Sequence, residues 1–455
     1  MDGKKVRFIH SLKAYNIMKF RLTSIYIFLF FINAIGAIAI GGVPIQWFST
    51  IGVALLCIFF FYKFRLVKQL QPGLFTLFCL WSFGITIYKC YTIQFDWPAD
   101  ATTSLKFYLF LRFLNLLSFF LFAVWSYQLC INGDYTKLIS GVAKIGFIIA
   151  IVSIYIYFAQ LFGLPDIPRT RLGTAGGEQA TTFSSLFHRA MGTFREPSHL
   201  AEWLVVPFFI SMQLSKKKAR LYCIIIGITI FLTGSLTAIL SIVGSIVIYY
   251  LIVNFLKIIS LAAFSFSFFK DKFVFVAKII FYVSALFFID FLLGSKLYFI
   301  GEAIYERVDL LFFSGLSGSN RSYIYKFMDI TPIPFFGYGL GVSNTMLSNF
   351  VQTDNVVSFL SLYYLNLFST GIVGLAILIL FLLYPVTQII KLIRLNLQAG
   401  NTKSNKYDFI FISYITWLIM FIVHSEELTL SFAVSYALTI YVVSREKSVL
   451  LRFKK

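Results

Sequence analysis

Charge is scarce in this chain: Asp, Glu, Lys and Arg together make up 13% of 455 residues. A water-soluble chain covers its surface with about twice that share, so a soluble globular domain is excluded. Acidic residues are scarcest, 19 Asp and Glu against 39 Lys and Arg. There are only five cysteines, Cys57, Cys79, Cys90, Cys130 and Cys223. All lie in or beside apolar runs, without CxxC or Cys/His spacing, so helix packing is their expected role and no metal is expected. Internal repeats and low-complexity tracts are lacking. No cleavable signal peptide is expected either, because residues 1–21 are basic and the first apolar run has no small-residue cleavage site.

What the chain does have is apolar sequence from end to end. Hydrophobic residues make up 59%, Phe alone contributes 55, and the mean hydropathy is +0.84. The runs are long enough for a hydrocarbon layer of about 30 Å. They are continuous rather than alternating, so helices and not barrel strands satisfy the backbone in lipid. Spans are expected near 22–40, 46–62, 73–89, 106–129, 139–162, 198–214, 221–233, 235–255, 273–293, 369–390, 408–424 and 429–444. The expected fold class is thus an all-α integral membrane protein, a single polytopic domain over 1–455 with about twelve transmembrane helices.

A net charge of +20 raises the question of nucleic acid, and its distribution answers it. Segments between the spans alternate sides. One set comprises the N-terminus, 63–72, 132–137, 215–220, 256–272, 391–407 and the C-terminus, and it holds most of the Lys and Arg. The positive-inside rule makes that set cytoplasmic, with both termini inside, and no nucleic-acid partner is expected. The opposite set contains two long loops, 163–197 and 294–355, rich in Gly, Pro, Ser and Thr. Loops of that length are uncommon unless functional or disordered. The second is expected to hold a short helix near 297–312, a Gly/Ser turn at 315–320, another short helix, and the turn-rich stretch 332–341. Residues 355–367 read as a helix at the outer interface, ending at a Thr370–Gly371 break.

Ionisable residues concentrate on these loops. The stretch Arg189-Ala-Met-Gly192-Thr-Phe-Arg195-Glu196-Pro197-Ser198-His199-Leu-Ala-Glu202 combines arginines that match phosphate oxygens with groups that can move a proton. A helix opening at Pro197 adds a positive dipole end. The alternative is a capped helix beneath a solvated charged loop. In the second loop Glu302, Glu306, Arg307, Asp309, Asn320, Arg321, Lys326 and Asp329 repeat the theme; taken singly, such a residue is more often a solvated or ion-paired loop residue. Arg112 lies inside span 106–129, where a charge calls for an acidic partner or a ligand. His424, beside Glu426 and Glu427, is either a proton-transfer group or part of an ordinary outer turn.

Taken in order, four elements resemble the polymerase/ligase superfamily that assembles bacterial surface polysaccharides, and most closely its Wzy-type polymerases of O-antigen or capsular repeat units. They are Gly192-Thr-Phe-Arg-Glu196-Pro-Ser-His199; Thr233-Gly-Ser-Leu-Thr237; Pro334-Phe-Phe-Gly337-Tyr-Gly339-Leu-Gly341; and Asp354-Asn355 followed by Ser369-Thr-Gly371-Ile-Val-Gly374. The resemblance covers about 185–395. It implies a glycosyltransferase of the GT-C class in a bacterial cytoplasmic (inner) membrane. Such an enzyme uses undecaprenyl-diphosphate-linked oligosaccharides as donor and acceptor, needs no cofactor, and can work beside a chain-length regulator. It also implies roles: Arg189, Arg195, Arg321, Arg307 and Arg112 for diphosphate or glycan binding, and Glu196, His199, His424 or Asp354 as base. Two departures are Asp354 where many ligases carry His, and Ser235-Leu236 where relatives often carry Ser-Arg. The rivals are a ligase that moves the glycan to another acceptor and, from a different class, a flippase of lipid-linked oligosaccharides.

Overall fold

The computed structural model describes residues 22–40, 43–59, 67–99, 104–167, 189–261, 322–399, 407–424 and 427–453. The architecture is helical, apart from a two-stranded antiparallel ribbon, β1 (Ala39–Ile40) and β2 (Val43–Pro44). Helix α1 spans Leu22–Asn33. It is followed by α2 (Ile45–Phe59), α3 (Pro72–Thr92), α4 (Leu105–Leu129), α5 (Tyr135–Phe162), α6 (Pro197–Ser211), α7 (Lys216–Leu232) and α8 (Leu236–Leu261). After the undescribed residues come α9 (Ser322–Ile330), α10 (Val342–Val351), α11 (Leu362–Gln398), α12 (Asp408–Val423) and α13 (Leu430–Phe453).

Among the described residues, four helical stretches are long and apolar enough to cross a membrane: Pro72–Thr92, Leu105–Phe162, Leu236–Lys257 and Leu362–Gln398. The second is two helices. A π-turn at Cys130–Asp134, with Gly133 left-handed at φ 85°, separates α4 from α5. Outward faces of α3, α8 and α11 expose Leu80, Phe83, Leu251, Phe255 and Leu380, an apolar surface of the kind that suits lipid. The span expected at 273–293 and the helix expected at 297–312 lie outside the described residues.

At two places helix starts differ from expectation, for local reasons. Helix α7 begins at Lys216, inside the basic run, because Ser215 is extended and the long lysine stems suit a helix. Residues 355–361 are not helical. Ser361 is the N-cap of α11, accepting a hydrogen bond from the Tyr364 amide, so the helix starts at Leu362 rather than near 355. The expected break at Thr370–Gly371 is present as a kink, with Gly371 at φ 72° and ψ −176°, after which α11 resumes. Val342–Val351, in the late second loop, forms the short helix α10.

The interior is aromatic, with polar groups satisfied in place. Tyr26 stacks on Phe122 at 4.1 Å and Phe119 on Phe432 at 5.4 Å. Tyr249 donates to Asp408 at 2.6 Å, and Tyr414 donates to the Leu382 carbonyl at 2.6 Å. Such bonds tie helices together where hydrophobicity alone gives little orientation.

Candidate functional site

The site begins with how residues 189–199 are held. Arg189 Nε donates to the Thr233 carbonyl at 2.7 Å and Nη2 to the Gly234 carbonyl at 3.4 Å, while the Ala190 amide donates to Leu232 O at 2.9 Å. These bonds staple the segment onto the α7–α8 turn. Gly192 is left-handed (φ 55°), and a Cβ there would stand 2.0 Å from Ser153 Oγ on α5, so only glycine fits. Thr193 locks the other side: its hydroxyl donates to Ala34 O at 2.6 Å, and its carbonyl accepts from Gly36 and Ala37, each at 2.9 Å. Phe194 is buried beside Trp203, which stacks on Phe30 at 4.7 Å. Glu196 is the extended N-cap of α6, with Pro197 opening the helix.

This framework turns Arg195, Glu196, His199 and Glu202 toward one cavity of about 500 Å³. The opposite walls come from distant parts of the chain: Arg112 and Asn115 on α4, His424 at the end of α12, and Glu427 in the α12–α13 turn. Gln46 and Trp47 of α2 close one side and Ser358 and Leu360 another. Leu360 is left-handed (φ 53°), an uncommon conformation for such a side chain, and it marks a constrained turn. The volume falls within the range of small-ligand sites.

The polar contacts inside are specific. His424 Nδ1 bonds to Glu202 Oε1, joining residues 222 positions apart, and both are nearly inaccessible, at 4% and 6% exposure. A carboxylate so buried needs such a partner, since an unpaired charge there is costly. The His199 ring meets His424 edge-on at 5.3 Å. Arg112 Nη1 lies 2.9 Å from Glu427 Oε1, its guanidinium sits 5.1 Å from the Tyr108 ring, and Asn115 Nδ2 donates to Glu427 Oε2. Arg112 thus has the acidic partner that its position in an apolar helix called for.

Of the residues singled out in the sequence, Arg112, Arg195, Glu196, His199 and His424 share this cavity. Arg189 does not line it; its guanidinium serves the turn. Asp354 is exposed in the loop after α10, outside the cavity lining. Arg307 and Arg321 lie outside the described residues. Sequence reasoning did not assign roles to Glu202, Glu427 or Asn115. Glu202 had a usable signal, one helical turn after His199, whereas Asn115 has meaning only beside Glu427.

The third and fourth sequence elements form a separate structure. The Tyr338 amide donates to Phe368 O and the Gly339 amide to Ser369 O, both at 2.8 Å, while the Ile372 amide returns to Pro334 O at 3.2 Å. A Cβ at Gly337 would stand 2.4 Å from Ser369 O, and one at Gly371 2.4 Å from Phe335 O. Trp81 on α3 donates to Thr370 O at 2.9 Å. The glycines here allow backbone to lie on backbone at the kink in α11.

No family model matches the chain, and a search of curated proteins returned no significant match.

Proposed function

We propose that this protein is a membrane glycosyltransferase of the GT-C class, a polysaccharide polymerase acting on undecaprenyl-diphosphate-linked repeats at the outer face of a bacterial cytoplasmic membrane. The observation that carries the reading is that one cavity collects two arginines, three carboxylates and two imidazoles beside helices apolar enough to span a membrane. In the twelve-span arrangement, with both termini cytoplasmic, the start of α6 and the end of α12 lie on the outer side together. That is where a lipid-linked sugar would present its diphosphate.

The reaction joins the acceptor's terminal sugar hydroxyl oxygen to the anomeric carbon of the growing chain. The bond from that carbon to the diphosphate breaks, and undecaprenyl diphosphate leaves with the electron pair. Arg195, in the cavity lining, suits the departing diphosphate, and Arg112 contributes positive field while held by Glu427. Glu196 and His199 are the leading acceptors of the hydroxyl proton, with His424, oriented by Glu202, behind them.

The test is the surface glycan of a deletion strain on a gel, beside its lipid-linked intermediates. Collapse of the ladder to single repeats supports the polymerase. Long chains stranded on the carrier would instead indicate a ligase, repeats trapped on the cytoplasmic face a flippase, and an unchanged ladder would remove the protein from the pathway.

A further inference from the structure

We infer that the cavity binds one divalent transition cation, of the zinc class, through Glu196, His199 and His424. Each of these residues offers one ligand atom, and the three atoms lie within 4.8 Å of one another. Zinc–ligand bonds of about 2.0–2.2 Å place neighbouring donors roughly 3.5 Å apart, so side-chain rotation can close the set. The backbone positions are already fixed. Glu196 and His199 flank the first turn of α6, which Pro197 opens and the Phe194–Trp203 contact anchors. His424 terminates α12 with its amide bonded to Met420 O at 2.8 Å.

A second, independent observation lies behind the imidazole. Glu202 Oε1 engages His424 Nδ1, both groups being buried. A carboxylate on the far ring nitrogen is the usual outer partner of a metal-binding histidine; it fixes the tautomer and raises ligand basicity. With Nδ1 turned to Glu202, Nε2 is the nitrogen that would ligate. Two imidazoles and one carboxylate form the donor set of a three-ligand catalytic zinc site, whose fourth position would open into the cavity. Charge does not oppose it: Arg112 is engaged by Glu427, and the carboxylates of Glu196 and Glu202 balance Arg195, which lines the same cavity. Sequence spacing could not reveal the whole site, because His424 lies far along the chain from Glu196 and His199.

The inference goes beyond the glycan reading and does not depend on it. With the cation seated, Glu196, His199 and His424 all act as ligands rather than as bare bases, so their proton-acceptor roles belong to the metal-free cavity.

The experiment uses the full, tag-free chain in lipid nanodiscs. It is loaded with zinc, desalted, and measured for bound metal by mass spectrometry, with a parallel cobalt(II) sample read by visible absorption. About one zinc per chain and an intense low-symmetry cobalt band are expected. His199→Gln and His424→Gln should lose the bound zinc, Glu202→Gln should weaken it about 10–100-fold, and Asp166→Asn, at an exposed residue just after α5, should retain it. Zinc retention no greater in the wild type than in the two histidine variants overturns the proposal. If those variants fail to fold, the wild-type cobalt spectrum decides: a weak octahedral aquo-like band overturns it. Zinc bound by a chain that extends no glycan would remove the glycan reading and leave this one intact.

Discussion

The segment 189–202, with its single glycine, and the glycine-rich paired stretches 334–341 and 369–374 both stood out in the sequence, yet they do different things. In the paired stretches Gly337 and Gly371 serve backbone contact: each leaves a space that a Cβ would fill at 2.4 Å from a carbonyl oxygen. In the first segment Gly192 performs the same service against Ser153, but its effect is to aim Arg195, Glu196 and His199 into a cavity. Glycine with a positive φ therefore marks close packing in both places. Only ionisable side chains converging from several helices mark chemistry.

The comparison can be broken most sharply at Arg195. Arg195→Ala should lower glycan extension about 100- to 1,000-fold, as expected for removing one preorganised donor, with the amount of protein in the membrane unchanged. Full extension would move the anion site elsewhere. The paired stretches should behave oppositely. Gly337→Ala or Gly371→Ala should destabilise the fold by about 3 kcal/mol, through a steric clash and a positive φ, while activity per folded molecule persists. Thermal unfolding in detergent, set beside specific activity, measures both.

Gly192 joins the two cases. Gly192→Ala should reduce stability and extension together, and Ser153→Gly in the same chain should restore part of each by removing the hydroxyl and Cβ that it meets. No recovery in the double variant would mean that something other than this contact positions the loop. Arg189→Ala should cost about 1.5–3 kcal/mol, the worth of hydrogen bonds from a charged donor, and leave specific activity intact. The smallest effect is expected at exposed Asp354, where Asp354→Asn should change stability by under about 0.5 kcal/mol. A tenfold loss of extension there would return Asp354 to the site.

Much of the helical layout was legible because apolar runs of membrane-spanning length permit little besides a helix. Errors fell at ends. The Ser361 cap delays α11 and the lysine run extends α7 back to Lys216, and neither choice changes the hydropathy that marked the run. The candidate site was half legible. Arg195, Glu196 and His199 sit together in the sequence, and a charge at Arg112 in an apolar helix signalled a partner. The identity of that partner, Glu427, was not accessible, because several carboxylates could have served.

What the sequence determined by itself is the class of solvent: with so few charges and such long apolar runs, a helical chain suited to lipid follows from the cost of unsatisfied backbone there. Which polar groups meet is a matter of how the folded helices lie. The Glu202–His424 bond, the Arg112–Glu427 pair and the edge-on approach of His199 to His424 join α4, α6 and the α12–α13 turn. The packing of apolar helices sets those meetings, and local hydropathy carries no record of which helix face will oppose which.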